Sequence, residues 1–172
     1  MLSKEDIKVA ILKECQICRR LFEEVDQEQL QNSLGENMWN LQELLATLSF
    51  IGIYTAEALK ENDFIDKEHS RYEKMKSEAF AADWNSFPSL MEKQEKALSL
   101  FFENLSEDDL KKEAYHPLIN HLPLNQALLE ITLKFMVGYR MQLFLYLKAN
   151  GKSELNGALC WSGIEEPYYS YR

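Results

Sequence analysis

A chain of 172 residues, 46% hydrophobic and 27% charged, has the composition of a globular protein and the length for one domain with a sizeable core, which argues against disorder. Glycine and proline occur 6 and 4 times, too seldom for an all-β fold built on tight turns. A formal net charge of −9 repels nucleic-acid phosphate and anionic lipid, so neither nucleic acid nor membrane is an expected partner.

From the N-terminus, residues 4–25 place Ile7, Ile11, Cys18, Leu21, Phe22 and Val25 at the three-and-four spacing of one helical face. Ser3 is a suitable N-cap, with Glu5 and Asp6 at the positive end of the helix dipole. The polar stretch around Gln31, Asn32 and Ser33 and the breaker Gly35 separate this helix from a second. That one opens near Asn37–Asn40, with Glu43 three residues after Asn40 as in a capping box. It continues through Leu41, Leu44, Leu45, Leu48, Ile51, Thr55, Ala58 and Leu59. Residues 61–85, with Asp63, Asp66, Lys67, Glu68, His69, Lys74 and Lys76, read as a long crossover containing some helix around 67–79.

Ser86-Phe87-Pro88 starts a third helix, because proline suits a first turn. Leu90, Ala97, Leu98, Phe101 and Leu105 are its apolar positions. Ser106 to Leu110 caps a short helix expected to reach Ala114, and His116-Pro117 bars helical geometry beyond it. The last long helix spans 123–149 and stops at Asn150-Gly151. Leu124, Leu128, Ile131, Phe135, Tyr139 and Tyr146 form one apolar face, and Leu129, Met136, Leu143 and Leu147 a second. Two apolar faces suit a helix that is central or shared with a second subunit. Residues 152–172, with Trp161, Tyr168, Tyr169, Tyr171 and the breakers Gly157, Gly163 and Pro167, read as an irregular aromatic cap. The expected fold is therefore all-α: one four-helix-bundle domain over 1–172, with a long crossover between helices 2 and 3.

No run approaches the ~20 apolar residues of a membrane span. Met1-Leu2-Ser3-Lys4-Glu5-Asp6 lacks a basic stretch ahead of an apolar one, so no secretory signal is expected. Cys15, Cys18 and Cys160 form no disulfide framework and fit a reducing cytoplasm.

Trp39-Asn40-Leu41-Gln42-Glu43-Leu44-Leu45-Ala46-Thr47-Leu48 resembles the second helix of the DinB/YfiT-like family. Tyr139-Arg140-Met141-Gln142-Leu143, leading to Tyr146-Leu147-Lys148-Ala149-Asn150-Gly151, resembles its last helix, where a His-Arg-Gly-Gln stretch precedes a Tyr-Leu-Arg-like end and a glycine. The resemblance covers most of residues 4–151 and implies a four-helix bundle, often dimeric. It also implies a divalent metal held by three histidines, one on the second helix and two at i, i+4 on the last, leaving open positions for water or substrate. Members of this kind include thiol-dependent transferases and isomerases. In this chain the three ligand positions fall on Thr47, Phe135 and Tyr139. Arg140 and Gln142 are kept, while the glycine between them is replaced by Met141. The frame is present and the ligands are not.

No other motif supplies chemistry. His69 lies in a distant polar segment and His116 and His121 in a loop, so three surface or loop histidines are the expectation and a relocated metal site of the three the minor alternative. Cys15-Gln16-Ile17-Cys18 has redox spelling but sits mid-helix, away from the dipole that stabilises a thiolate. The expectation is Cys18 in the core and Cys15 near its edge. Gly-rich phosphate loops and a G-x-S-x-G nucleophile elbow are missing. Trp39, Tyr54 and Trp161 are candidates for an aromatic wall, or for core and rim packing. Arg140, on a largely apolar helix, either pairs with a carboxylate or meets an anionic ligand. The sequence thus assigns no catalytic residue, metal or cofactor. It points to a candidate pocket at Thr47, Phe135 and Tyr139, rimmed by Trp39, Tyr54, Arg140, Gln142 and Trp161. Two readings are compatible with that pocket. One is a non-catalytic bundle, homodimeric through the last helix, that binds a small molecule or protein partner or serves as a stress-associated accessory. The alternative is a thiol-dependent transferase or isomerase working without the metal, or at a relocated site, with Tyr139 and Arg140.

Overall fold

The computed structural model describes residues 3–64 and 70–164. His69, Asp66, Lys67 and Glu68 of the crossover, and Pro167, Tyr168, Tyr169 and Tyr171 of the tail, lie outside the described residues. Four long helices form the bundle: α1 (Lys4–Phe22), α2 (Leu41–Glu61), α4 (Phe87–Glu103) and a final helical run ending in α6 (Lys134–Ala149). α1 and α2 each pack against both α4 and α6, which sets the four around a square. The shorter α3 (Ser70–Ala81) lies along α2 within the crossover. No helix among the described residues is long and apolar enough to cross a membrane.

Two capping boxes fix where α1 and α2 begin. The Asp6 N–H donates to Ser3 Oγ at 3.1 Å and the Ser3 N–H to Asp6 Oδ2 at 2.9 Å. In α2 the Glu43 N–H donates to Asn40 Oδ1 at 2.9 Å and the Asn40 N–H to Glu43 Oε2 at 2.8 Å. Asn37, the other candidate cap, instead takes a left-handed φ of 61° in the preceding loop. α1 ends at Phe22, short of the expected end at residue 25, although Val25 still reaches the core.

The helix buried all round is α2, whereas the sequence pattern favours the last helix. Fifteen of its 21 residues are buried, because Leu44 to Ala56 contains no charged side chain and every flank needs a neighbour. The closest approach is at Gly52, where a Cβ would lie 2.6 Å from Met136 Sδ and 3.0 Å from Gln94 Oε1. Gln94, buried on α4, accepts from the Gly52 N–H (2.8 Å) and the Ile53 N–H (3.2 Å) and donates to the Leu48 carbonyl (2.9 Å). A buried amide satisfied in this way pins one helix to one register on the other.

The last helix is not uniform. α5 (Leu124–Ala127) passes through a π-helical stretch, Leu128–Leu133, into α6. The wider turn shifts the downstream residues around the axis, so the buried series becomes Leu124, Ala127, Leu128, Ile131, Thr132, Met136, Arg140, Leu143, Tyr146 and Leu147. Phe135 and Tyr139, expected on the inner face, sit half-buried at its edge, and Arg140 takes the interior position. Inside the stretch, the Thr132 hydroxyl lies 3.1 Å from that of Thr55 on α2.

The short helix expected over 106–114 is replaced. The Ser106–Asp109 cap forms, with Asp109 N–H to Ser106 Oγ at 3.1 Å, but supports a single 3-10 turn, Asp109–Lys111. The chain then enters a hairpin, β1 (Glu113–His116) paired antiparallel with β2 (Asn120–Pro123), with Tyr115 opposite His121. Pro117 denies helical geometry to His116, and Asn120 takes the left-handed φ of 56° that closes the turn. Asn62, the left-handed C-cap of α2, ties the hairpin down through a 2.8 Å bond from the Tyr115 N–H to its Oδ1.

The described part of the tail, 152–164, is more regular than expected. α7 (Gly157–Ser162), N-capped by Asn156, packs on α1 and α6. Arg140 anchors it: its Nε donates to Glu14 Oε2 of α1, and its Nη1 to the Cys160 carbonyl of α7. Arg140 is 1% exposed and Glu14 is also buried, so each charge depends on the other. Replacing Glu14 alone strands a buried guanidinium, and we expect Glu14→Met to cost about 3–5 kcal/mol. Glu14→Met with Arg140→Met should recover most of that loss in urea denaturation; a double variant no more stable than the single would contradict the pairing.

Candidate functional site

Two of the three positions to which the family resemblance assigns metal ligands, Phe135 and Tyr139, are packed among aromatic rings. Tyr139 and Phe135 on α6 have centroids 6.2 Å apart, and Trp39, just before α2, lies 5.4 Å from Tyr139. The series continues from Phe135 to His116 of β1 (6.0 Å) and from there to Phe64 (4.4 Å). Phe64 touches Tyr54 of α2 at 5.9 Å, and Tyr54 touches Tyr72 of α3 at 5.2 Å. Helix α2, the crossover, the hairpin and α6 thus meet along one aromatic seam, in the tilted and edge-on arrangements such rings favour. The Tyr146 hydroxyl of α6 donates to the Trp39 carbonyl and holds the seam's open end, where Trp39 is 38% exposed.

The seam carries few groups that titrate near neutrality. Burial raises the pKa of the Tyr139 phenol, with the Tyr72 phenol adding to the rise. Tyr54 is raised by burial and then by the negative charge of Asp63. His116 is lowered from 6.5 by burial, and its Nδ1 accepts the Leu118 N–H at 3.2 Å, an arrangement that requires a neutral ring. Beside Tyr54 and Phe64, Arg71 of α3 gathers Glu57, Glu61 and Asp63, its Nη1 lying 3.6 Å from Glu57 and 3.4 Å from Asp63.

Thr47 is buried in α2, and its hydroxyl donates to the Glu43 carbonyl one turn back at 2.9 Å. Phe135 and Tyr139 are brought together, while the Thr47 hydroxyl is spent on its own helix. Of the rim candidates, Trp39 and Tyr54 belong to the seam, and Gln142 is half-buried on α6. Arg140 and Trp161 face elsewhere: the guanidinium carbon sits 5.2 Å from the Trp161 ring centre, on the α1–α7 side. A hydroxyl already bonded to backbone, a phenylalanine and a phenol that holds its proton do not fit a divalent metal. Among the described residues, no group of three or more His, Cys, Asp or Glu side chains is placed to hold one. His121 Nδ1 instead lies 2.9 Å from Glu113 Oε1 across the hairpin, away from a ligand set.

The cysteines are inert by the same reasoning. Cys15 and Cys18 are both fully buried, so Cys15 is not at the core's edge as expected. Burial pushes the Cys15 thiol up to about 12, and raises Cys18 and Cys160 as well. Three seam members were missed by sequence reasoning: Phe64, Tyr72 and His116. They come from the crossover and the hairpin, and only the fold brings them to α6.

Neither protein-family models nor curated proteins give a match to the sequence. Solved structures do. A DinB-like protein of Bacillus subtilis, YjoA, superposes with a TM-score of 0.65 at 16% identity, covering 87% of this chain and 95% of that one. YfiT of Bacillus subtilis, a probable metal-dependent hydrolase with an unusual four-helix bundle topology, gives 0.58 at 13% identity over 87% and 90%. A mycothiol-dependent maleylpyruvate isomerase gives 0.57 at 14% identity, with 87% of this chain covering 61% of that one. The class is thereby defined: the chain has the DinB/YfiT-like four-helix-bundle fold.

The seam predicts a pH dependence. His116 binds its proton less readily folded than unfolded, so between its lowered value and 6.5 the unfolded chain holds more protons. Its contribution to stability is complete above pH 6.5 and is lost as pH falls through that window. In urea denaturation, wild type should lose stability from neutral to mildly acidic pH relative to His116→Phe. Parallel pH profiles for the two proteins would contradict this.

Proposed function

We propose that this chain is a binding protein on a DinB/YfiT-like frame, and that it does not carry out metal-assisted chemistry at the family position. The observation that supports this reading concerns the positions that the resemblance assigns to metal ligands: the Thr47 hydroxyl is bonded to backbone, and Phe135 and Tyr139 lie within an aromatic seam. The alternative, a thiol-dependent transferase working through Tyr139 and Arg140, loses support on two counts. Arg140 is buried and held by Glu14 and the Cys160 carbonyl, on the side away from Tyr139's ring partners. Tyr139, raised by burial, makes a poor base.

A bound metal stabilises the folded state in proportion to occupancy. With nickel, zinc or manganese at about 1 mM, we expect the melting temperature to move by less than roughly 1 °C. A saturable rise of several degrees, abolished by chelator, would return the metal-dependent reading to first place.

We further propose that the binding unit is a homodimer joined through α6. Val137, Met141 and Leu145 repeat at i, i+4 and i+8 on its outer side, and Leu145 is 48% exposed. Sedimentation at micromolar concentration should give a dimer, with Leu145→Glu shifting it to monomer without loss of helicity. A monomeric wild type would remove the proposal.

A further inference from the structure

A cavity lies apart from the aromatic seam and shares none of its residues. It has a volume of about 130 Å³ and opens between the first turns of α2, the end of α3 and the start of α4. Its origin is legible in side-chain size: Ala46 of α2, Ala79 of α3 and Ala82 beyond it line the gap. Ala79 is the one fully buried residue of α3, and at this end of the helix, away from Tyr72 and its contact with Tyr54, the bundle is met by a methyl group that leaves space beside it.

Two properties of the lining define the ligand it suits. Phe80, Trp84 and Phe87 supply aromatic surface, with Phe22 stacked behind Phe87 at 5.1 Å and beside Trp84 at 5.6 Å. The charged lining residues are Glu43 and Asp83, and none of the lining is Lys, Arg or His. Each carboxylate uses one oxygen locally: Glu43 Oε2 accepts from the Asn40 N–H at 2.8 Å, and Asp83 Oδ1 from the Asn85 N–H at 2.8 Å. The second oxygen of each has no hydrogen-bond partner among the described residues. The nearby cation Lys76 lies over the Phe80 ring at 5.8 Å and does not line the cavity.

We propose that this cavity is a binding site for a small aryl-alkyl ammonium compound, its ring against Phe80, Trp84 and Phe87 and its ammonium group facing Glu43 and Asp83. The volume suits a single six-membered ring; a protein cavity of about 150 Å³ takes up benzene. An ammonium group gains charge-assisted hydrogen bonds from the unoccupied carboxylate oxygens and attraction from the aromatic faces. An anion of the same shape gains neither and is repelled. The site names a ligand class for the binding function proposed above, but stands on different residues. Its failure would leave the metal test and the seam untouched, and a metal-binding wild type would leave this site intact.

The test is titration of phenethylamine and of phenylacetate, a carboxylate of similar shape, followed by the NMR signal of the Trp84 indole. Phenethylamine should saturate below about 10 mM, as expected for so few atoms, with phenylacetate at least roughly tenfold weaker. Glu43→Gln with Asp83→Asn keeps the caps in place and should weaken the amine about tenfold or more. Ala82→Leu, at a half-buried position that tolerates size, should abolish binding by filling the gap. Lack of saturation by phenethylamine, equal binding of phenylacetate, or unchanged affinity in the Glu43/Asp83 variant would each overturn the proposal.

Discussion

The stretch of α2 from Leu44 to Ala56 carries no charge, and no single neighbour can cover a helix that is apolar all round. The rest of the molecule is arranged by that requirement. α4 and α6 flank α2, α3 lies along it, and the hairpin closes its C-terminal end through Asn62. The long crossover is part of the same solution, because it carries α3 to a face that the four long helices leave open. Where the cover is closest, at Gly52, a side chain on α2 would meet Met136 and Gln94.

Apolar burial alone does not choose a register, and the buried polar groups supply one. Gln94 reads the α2 backbone at Leu48, Gly52 and Ile53, and Thr55 meets Thr132 in the π-helical stretch. Arg140 joins α1, α6 and α7 through Glu14 and Cys160. Each is satisfied only in one alignment of its helices, so errors of register leave a buried polar group unpaired. The π stretch connects this framework to the candidate site. By rotating α6 about its axis, it turns Arg140 inward to Glu14 and leaves Phe135 and Tyr139 at the edge, where crossover and hairpin rings reach them.

Local chemistry was legible in the sequence and tertiary chemistry was not. Ser3 with Asp6, Asn40 with Glu43, Pro88 and Asn150-Gly151 marked helix ends correctly, since each acts within a few residues. The hairpin escaped because Glu113 to His116 lacks a β-branched run and comes after a genuine cap at Ser106. The π stretch escaped because a constant helical period hides an inserted residue. Phe135 and Tyr139 stand one helical turn apart on α6, so their pairing was legible, and the two rings do meet. Arg140 needed a carboxylate, but nothing in the chain pointed to Glu14, 126 residues away. The alanine-lined cavity escaped for the same reason: Ala46 lies more than thirty residues from Ala79 and Ala82, and the three acquire meaning only when packed together.

The bundle has the DinB/YfiT-like fold, and our proposal is that the positions which the resemblance assigns to metal ligands hold no metal. Elemental analysis of untagged protein, incubated with nickel, zinc and manganese and then desalted, tests it most directly. The account predicts less than roughly a tenth of an equivalent of any of the three per chain. One tightly held metal per chain would contradict it, and would mean that Thr47, Phe135 and Tyr139 are not the positions that matter.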